Sequence, residues 1–523
     1  MWESAHFSKA HLAILNGFII REARNMTSAL TYARAFAHST ALSLIMSCAA
    51  AAAAPTAAPT PATAAPDWAA IATTDFRFVL DNFRTQHAGI AAGDPSVIAP
   101  LAWGERAGLA EAAAVRTEQD YQRLMKRFIS SFGDPHTGIN VHLQTRGWTG
   151  LVLDQVEGGY RVVWSEPGWP NALPPVGAIA QSCDGVWSGT YLQTQAAPFT
   201  SRSVEYARTF SALARQVMFE NGLGWTPEAC VFTLADGSRK RYALPLQAVP
   251  AQVSSERIDT VRAKFSAEAR PVGVTPFAAG KYWIGMPDFD GARSGAAYEA
   301  LYPKLAALAR PAWVVFDLRG NGGGNSDWGQ RALKALYGNA YADRLGEAGA
   351  SSKYLVASPA SVDRLKRNMG MPEFADSKES NGRDLVKVEA ALRAGQKLAL
   401  VDGDADAQAL TAQTWPRPHG PRIAAVIDRT CFSSCMSFLL YLRAAGDTVV
   451  LGEPTAGYSP FGEITGLDLP SGHGQVGFPT AWFKSTQGTR EPFNPDIPYP
   501  GNMADDAALM KWVNTTLDRL QRH

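Results

Sequence analysis

Two motifs, each placed at the end of an apolar run, constrain the fold of this chain more than any other feature. Asp317-Leu-Arg-Gly-Asn-Gly-Gly-Gly324 begins within the run 312–318, and Thr430-Cys-Phe-Ser-Ser-Cys-Met-Ser-Phe438 comes soon after the run 423–427. Short apolar runs bounded by turn residues are typical of buried strands. Each motif is therefore expected where a strand ends and a loop begins, and α/β folds place functional groups at that edge.

The two motifs lie in a region where strand and helix patterns alternate. The predicted strands are 282–286, 313–318, 423–427 and 448–451, and the predicted helices are 296–308, 327–337 and 434–444. This alternation favours an α/β domain with a largely parallel sheet. The polar stretch 351–419 lacks a regular pattern, and we interpret it as an irregular insertion that covers the site.

The chain is too long for a single hydrophobic core. At 523 residues, and with about 150 residues per domain, about three domains are expected. Apolar residues recur at helical spacing over residues 67–146, which predicts a small N-terminal helical domain. Short alternating runs with glycine turns over 147–253 predict a β-rich domain. Residues 271–523 then form the α/β domain, with the insertion at about 345–420.

The charge of the chain excludes some function classes. The formal net charge is +1, and charged residues make up 19% of the sequence without long runs. Proteins that bind nucleic acid or strongly acidic partners carry basic patches or runs of like charge. Neither kind of partner is expected here.

The first 66 residues have the composition of an export signal followed by a linker. Met26 opens a segment that leads through the apolar run 41–46 into a run of alanines, which is the pattern of a secretory signal. Residues 45–48 also resemble a bacterial lipobox, in which Cys48 becomes the lipidated first residue; plain cleavage in the alanine run is the alternative. Residues 49–66 contain only Ala, Pro and Thr and predict a tether. We expect an exported chain, either periplasmic or lipid-anchored at the bacterial envelope.

Four cysteines follow Cys48, and their even number favours disulfides in an exported chain. Cys183 and Cys230 would join two parts of the middle region. Cys431 and Cys435 would bracket the loop that carries the serines, and two buried thiols are the alternative for this pair. Neither pair has the Cys-x-x-Cys spacing of a zinc site, so no metal is expected.

Four motifs together resemble a known enzyme family. They are 317–324, Phe432-Ser-Ser434, Val450-Leu-Gly-Glu-Pro-Thr-Ala-Gly457 and Asn494-Pro-Asp-Ile497. In their order and spacing, across most of residues 280–500, the chain resembles the tail-specific (C-terminal-processing) serine proteases, which include the tricorn protease core. The resemblance implies a multidomain α/β protein with an N-terminal helical domain, a PDZ-like β-rich domain and a C-terminal α/β catalytic domain of the ClpP/crotonase type. The PDZ-like match, at 150–185, is looser than the others.

The resemblance implies that Ser433 is the nucleophile, because it follows the aromatic Phe432. Ser434 is the alternative, and capping the following helix would be an ordinary role for either serine. The glycines of residues 320–324, here called the glycine loop, make that ordinary role the weaker interpretation, since bare backbone N–H groups after a buried strand can stabilise an oxyanion. Gly323 or Gly322 would supply one such N–H and the backbone of Ser434 the other.

The nucleophile needs a base, because a free hydroxyl is a poor nucleophile at neutral pH. One branch of the family uses a lysine at the position that is Tyr458 here, and no lysine of this chain has a serine three residues before it. The tricorn-like branch uses histidine, and Ser131-Phe-Gly-Asp-Pro-His-Thr-Gly138 matches its motif. His136 is therefore the candidate base, with a pKa suited to proton transfer near neutrality. The histidines without a motif are His87, His142, His419 and His473.

The resemblance also implies a carboxylate that orients the histidine. In Arg490-Glu-Pro-Phe-Asn-Pro-Asp496 this role falls to Glu491, for which an ordinary surface glutamate is the alternative. Asp496 is expected to fix a turn, because Asn-Pro-Asp sequences readily form one. Asp317 and Arg319 are expected to hold the glycine loop.

Together these residues predict an exported serine endopeptidase that hydrolyses peptide bonds through an acyl-enzyme on Ser433, with His136 as base and Glu491 assisting. No cofactor is expected, and the PDZ-like domain would bind the polypeptide substrate through an extended or C-terminal segment. The main alternative is a non-catalytic protein of the same fold that binds peptides or apolar ligands, because Tyr458 and Met436 replace residues of the lysine branch. An esterase is the weaker alternative, since no Gly-x-Ser-x-Gly motif surrounds the serines.

Overall fold

The computed structural model describes residues 66–142, 144–156, 159–192, 194, 207–220, 226–265, 270–309, 311–348, 352–371, 377–403, 414–415, 419–456, 459–484 and 492–521. Residues 1–65, with the predicted signal, Cys48 and all of the predicted linker except Pro66, lie outside these residues, as do Tyr458 and Glu491. Among the described helices, none combines the length and the apolar character that crossing a membrane requires.

The N-terminal region is helical, as its apolar spacing predicts. Its helices are α1 (Trp68–Gln86), α2 (Ala88–Ala91), α3 (Pro95–Trp103), a π-helix (Gly104–Gly108), α4 (Leu109–Ala114) and α5 (Glu118–Ser131), and strand β1 (Gly138–Val141) follows. Side chains of Asp67, Asp94 and Thr117 cap α1, α3 and α5 by accepting backbone N–H groups. The buried faces of α1 and α5 pack against each other through aromatic residues such as Phe76 and Phe128.

The middle region is built mainly of strands. Its elements are β2 (Thr145–Trp148), β3 (Leu151–Val156), β4 (Gly159–Ser165), β5 (Ile179–Cys183), β6 (Val186–Trp187), α6 (Ser188–Tyr191), α7 (Ala207–Gln216), β7 (Ala229–Thr233), β8 (Arg239–Ala243), β9 (Gln247–Pro250) and α8 (Ala251–Phe265). The main sheet has the order β3-β4-β5-β7-β8, with β6 beside β5, and β2 pairs with β9 separately. The β-rich prediction is confirmed, whereas the PDZ-like assignment stays a prediction.

The C-terminal region alternates strands and helices. Its elements are β10 (Gly273–Ala278), β11 (Lys281–Gly285), α9 (Gly291–Ala306), β12 (Trp313–Asp317), α10 (Asp327–Tyr337), α11 (Asn339–Ala348), β13 (Ser352–Val356), α12 (Pro359–Gly370), α13 (Lys378–Arg393), β14 (Leu398–Asp402), β15 (Arg422–Ile427), α14 (Ser434–Ala444), β16 (Val449–Gly452), β17 (Phe461–Asp468), β18 (Gly474–Lys484), β19 (Ile497–Pro498) and α15 (Asp506–Gln521). Every strand and helix predicted from the alternating pattern is present within two residues of its predicted ends, except the start of α9.

A six-stranded sheet forms the centre of this region, in the order β10-β11-β12-β15-β16-β19. It is parallel from β11 onward, and only β10 runs antiparallel to its neighbour. All five residues of β12 are buried. Val314 and Phe316 face the core formed with α9, α10 and α14, while Trp313 and Val315 face α15. Burial on both faces explains why the sequence of this strand is continuously apolar. The mixed α/β class is thereby confirmed, and the ClpP/crotonase assignment stays a prediction.

A second sheet joins the N-terminal helical region to the C-terminal region. β18 pairs with β17 along one edge, and β1 and β13 pair with successive parts of its other edge, all antiparallel. Gly138 lies opposite Gly477, and Val141 lies opposite Gly474. The helical region shares its core with this sheet, since Phe83 and Phe132 pack in one cluster with Phe478.

The prediction of an irregular insertion was wrong for the described part of residues 351–419. Helices α12 and α13 pack against each other and against β13 and β14, with Leu365 and Val388 in a small core. Ser358 caps α12, and Pro359 follows at its first position. The apolar face of each helix is narrow, and the remaining positions are polar, so the helical period is weak in the sequence.

The end of β12 is held by a buried ion pair. The guanidinium of Arg319 donates to both carboxylate oxygens of Asp317, at 2.8 and 2.6 Å, and also to the carbonyl of Met503 and to Asp506. The indole of Trp283 donates to the same Asp317 carboxylate at 2.8 Å. Both side chains of the pair are almost fully buried. Asp317 and Arg319 thus fix the end of β12, directly before the glycine loop.

We expect Arg319→Met to lower the free energy of unfolding by about 3–5 kcal/mol, because it leaves the Asp317 carboxylate buried without its cation. The measurement is urea unfolding. Arg383→Met is the matched control, because Arg383 pairs with Glu379 on an exposed helix face; its cost should stay below about 0.5 kcal/mol. Equal costs for the two substitutions would contradict a structural role for the buried pair.

Candidate active site

The two motifs meet because their strands are neighbours. β12 and β15 are parallel, with Asp317 opposite Val426, so both strands end at the same edge of the sheet. Beyond that edge, the carboxylate of Asp428 accepts hydrogen bonds from the backbone N–H groups of Gly320 and Thr430, at 3.2 and 2.8 Å. Burial raises the pKa of Asp428, against these hydrogen bonds, which lower it. The Asp428 side chain therefore joins the first loop to the second.

The glycine loop has a defined conformation. Gly320, Gly323 and Gly324 have φ values of 79°, 100° and 131°, which residues with a Cβ rarely adopt. Asn321 is fully buried; its amide donates to the carbonyl of Met286 at 2.9 Å, and its side-chain oxygen accepts from the N–H of Gly323 at 2.9 Å. The loop is thus anchored to the segment after β11, and its glycines allow the positive φ values.

The loop between Cys431 and Cys435, here called the serine loop, packs directly on Gly323. A Cβ on Gly323 would lie 2.8 Å from both the carbonyl oxygen of Phe432 and the Cβ of Ser433, and 3.0 Å from the nitrogen of Ser434. Two of these three atoms belong to the backbone, so little could shift to make room. Glycine at position 323 therefore permits the close approach of the two motifs.

Ser433 has an unusual backbone conformation, with φ 55° and ψ −124°. Among the described residues, only Asp184 and Glu463 share a positive φ without being glycine. Such conformations cost of order 1–3 kcal/mol and cluster at functional sites. Although Ser433 precedes α14, its hydroxyl makes no capping hydrogen bond. The strained backbone thus presents a hydroxyl that does not cap the helix.

Ser434 is placed differently. Its hydroxyl donates to the carbonyl of Gly324 at 2.6 Å, which ties the start of α14 to the glycine loop. The backbone N–H groups of Ser434 and Gly322 donate to no atom of the described residues, whereas that of Gly323 donates to Asn321. Space beside Gly322 is open. In this conformation Gly322 and Ser434 have N–H groups available for an anion.

His136 reaches this site from the opposite end of the chain. It lies between α5 and β1, is 6% exposed, and its ring centroid is 4.8 Å from that of Phe432, the residue before Ser433. The pairing of β1 with β18 holds the segment here. The structure therefore brings His136 beside the serine loop, although almost three hundred residues separate them in sequence.

Asp134 organises the backbone around His136. Its buried carboxylate accepts hydrogen bonds from the N–H of His136 at 3.2 Å, the hydroxyl of Thr137 at 2.8 Å and the hydroxyl of Ser459 at 2.7 Å. Ser459 belongs to the segment before β17, so the histidine turn is tied to the C-terminal region as well.

A second histidine, His87, is hydrogen-bonded to this cluster. The Nδ1 of His87 accepts from the N–H of Gly89 at 3.0 Å, so its Nε2 carries the proton and donates to the Thr137 hydroxyl at 3.0 Å. Burial lowers the pKa of His87 from 6.5 to about 4, although the Asp134 and Asp94 carboxylates act to raise it. His87 is therefore neutral at pH 7.

Both predicted disulfides are present. Cys183 and Cys230 join β5 to β7 within the middle sheet. Cys431 and Cys435 enclose Phe432, Ser433 and Ser434, and both cysteines are fully buried. The alternative of two free thiols at the serine loop was wrong.

Four residues of this site were given no role in the sequence analysis. Asn321 and Asp134 stand inside motifs that are quoted for their neighbours, so their positions were a usable signal. His87 and Ser459 have no local signal, because their roles arise from packing.

Glu491 lies outside the described residues, but the N–H of Phe493, two residues later, donates to the hydroxyl of Thr455 at 2.8 Å. Among the residues described, no group of His, Cys, Asp and Glu is suited to hold a metal ion.

Comparison with known proteins identifies the fold. No protein-family model matches the sequence, and no curated protein matches it. Mature CPAF complexed with lactacystin aligns with a TM-score of 0.59 at 12% identity, over 86% of this chain and 99% of that chain. Mature CPAF aligns equally well, over 98% of its chain. The chain therefore has the CPAF fold.

The tricorn protease aligns with a TM-score of 0.37 at 11% identity, over 87% of this chain and 37% of that chain. The tricorn-like assignment, with its histidine base, stays a prediction.

We expect Gly323→Ala to lower the free energy of unfolding by about 2–4 kcal/mol, because a Cβ there meets the serine loop and the backbone has a positive φ. Gly322→Ala, one residue away, is the matched control and should change it by less than about 1 kcal/mol, since its Cβ meets open space. Urea unfolding of both variants tests this. Similar values would show that the two motifs do not touch as described.

His87 should make stability fall in mild acid. The unfolded chain protonates this residue below about pH 6.5, and the folded chain only near pH 4, so unfolding becomes easier as the pH falls through this window, by on the order of 3 kcal/mol at pH 4. His87→Phe should reduce stability at pH 7 but show a smaller loss between pH 7 and 4.5. The exposed His142→Phe should keep the wild-type pH dependence. An unchanged slope in His87→Phe would contradict a buried neutral histidine.

Proposed function

We propose that the chain is an exported serine endopeptidase that forms an acyl-enzyme on Ser433 with His136 as general base. The observation that carries this proposal is the backbone of Ser433, with φ 55° and a hydroxyl that does not cap α14. A serine held at positive φ between a strand and a helix resembles the sharp turn that exposes nucleophiles in other hydrolases.

In the proposed reaction, the Oγ of Ser433 attacks the carbonyl carbon of a peptide bond while His136 takes its proton. The oxyanion that forms accepts hydrogen bonds from the N–H groups of Gly322 and Ser434. His136 then gives the proton to the leaving amine, and an ester remains on Ser433. Water, deprotonated by His136, attacks this ester; His136 then returns the proton to the Oγ of Ser433 as the ester bond breaks, and the carboxylic acid product leaves. If Asn321 turned away, Gly323 would supply a further N–H.

The surroundings of His136 support its role as base. A general base must lie within reach of the hydroxyl and be held in orientation. Its ring contacts Phe432, directly before Ser433, and its backbone is fixed by Asp134. The chain around Phe493 is bonded to Thr455, and the next residue, Ala456, donates to the carbonyl of Cys431. Glu491, two residues before Phe493, is the residue that we propose to orient His136.

Ser433 rather than Ser434 is the proposed nucleophile because the two hydroxyls differ in their partners. The hydroxyl of Ser434 is engaged with Gly324, which suits an anchoring role. The hydroxyl of Ser433 does not cap α14, and the Cβ that carries it lies beside Gly323.

The CPAF fold supports the proposal at the level of architecture, and export is supported by the two disulfides, which form in oxidising compartments. The substrate we propose is an unfolded or extended polypeptide, bound in part by the middle domain acting as a PDZ-like module. Lactacystin, which is complexed with mature CPAF, is a reasonable second probe of the site.

The test is labelling by a fluorophosphonate, which reacts with activated serines, together with cleavage of an unfolded polypeptide. Ser433→Ala should abolish labelling, and Ser434→Ala should weaken but retain it because the backbone N–H remains. His136→Ala should slow labelling by about 10²–10⁴-fold. The exposed His142→Ala is the matched control and should label like the wild type. A wild-type chain that neither labels nor cleaves would instead favour a non-catalytic binding protein.

A further inference from the structure

We propose that the Cys431–Cys435 disulfide controls the nucleophile, so that Ser433 is competent only while this bridge is closed. The inference rests on the proposed function and names a regulation of the same site. It starts from the position of the bridge, whose two cysteines flank the three residues Phe432, Ser433 and Ser434.

The bridge closes a small ring around a disfavoured conformation. Ser433, at the centre of the ring, has φ 55°, which a residue with a Cβ adopts only when its surroundings impose it. The non-covalent restraints on this stretch include backbone hydrogen bonds from Phe432 to Asn321 at 3.2 Å and from Cys435 to Phe432 at 3.1 Å. Without the covalent link, the serine loop could relax toward an ordinary helix start, with the Ser433 hydroxyl capping α14.

Such relaxation would also reach the oxyanion donors. The Phe432 carbonyl oxygen and the Ser433 Cβ lie within 2.8 Å of where a Cβ on Gly323 would stand, so movement of the serine loop alters its contact with the glycine loop. The N–H of Ser434 turns with the same loop. Opening the bridge is therefore expected to misplace the nucleophile and the oxyanion donors together, which lowers the chemical step more than substrate binding.

The chemistry is thiol–disulfide exchange. The thiolate of one cysteine attacks a small-molecule or protein disulfide, R–S–S–R, and releases one RSH; the second thiolate then attacks the mixed disulfide and releases the other RSH. The cysteines lose two electrons and two protons in total, and the disulfide oxidant gains them. Cys431 and Cys435 are both fully buried, so a reductant reaches the closed bridge only when the loop opens. Once formed, the bridge therefore resists reduction, and exposure to an oxidising compartment commits the site to its competent form.

The test compares the two disulfides of the chain. In Cys431→Ala/Cys435→Ala, kcat and the rate of fluorophosphonate labelling should fall at least tenfold, while KM changes less than threefold. Cys183→Ala/Cys230→Ala is the matched control, because it removes a buried bridge that lies in the middle sheet; its labelling rate should stay within twofold of the wild type. Amide hydrogen exchange over residues 428–440 should accelerate in the first variant alone.

A second measurement avoids dependence on the folding of the first variant. In the Cys183→Ala/Cys230→Ala protein only the serine-loop bridge remains among these four cysteines, so a phosphine reductant acts there, and opening is counted by thiol alkylation and mass spectrometry. Labelling should fall in proportion to opening and return after oxidation by oxidised glutathione.

The outcomes separate the two proposals. If the wild type labels and opening the bridge changes neither its labelling nor its exchange, the inference is overturned and the proposed peptidase stands. If the wild type does not label at all, the proposed function fails, and the exchange measurement still decides whether the bridge holds the serine loop. Equal exchange in the open and closed forms would overturn that part too.

Discussion

The pairing of β1 with β18 is the constraint on which the candidate site depends. Four residues of β1 fill a stretch of the β18 edge that β13 leaves unpaired, and their backbone hydrogen bonds fix the direction in which the chain arrives. The aromatic core shared by the helical region and this sheet stabilises the pairing. Because His136 stands two residues before β1, its place beside Phe432 follows from that register and not from any local preference.

Around this pairing, the buried carboxylate of Asp134 and the buried ring of His87 have hydrogen-bond partners. The Asp134 carboxylate accepts from three donors, and neutral His87 adds a further donor to Thr137 without adding a charge. On the other side, Asp317 and Arg319 neutralise each other at the end of β12. Buried polar groups left without partners are costly. The networks thus stabilise the two loops in which the serine hydroxyls have different surroundings.

The parallel strands and their helices could be predicted from sequence because burial on both faces leaves a continuous apolar run, as in β12. Both disulfides followed from an even cysteine count. The β1–β18 pairing could not be predicted, since a four-residue strand carries almost no pattern and its partner lies more than three hundred residues away. Helices α12 and α13 were missed because only narrow stripes of each are apolar. His87 was passed over because a buried histidine is recognisable only from its neighbours, and Asn321 because its role depends on Gly323 approaching the serine loop.

The same strand pairing determines when, during synthesis of the chain, the site can assemble. The ribosome makes the helical region and His136 early, and the glycine and serine loops follow, but β1 has no edge to join until β18 has left the exit tunnel. A chain that ends between Ser459 and Gly474 therefore carries every described member of the proposed site and still lacks the edge that β1 joins. For the peptidase proposed above, this late closure keeps the enzyme's own incomplete chain out of reach of a half-made site.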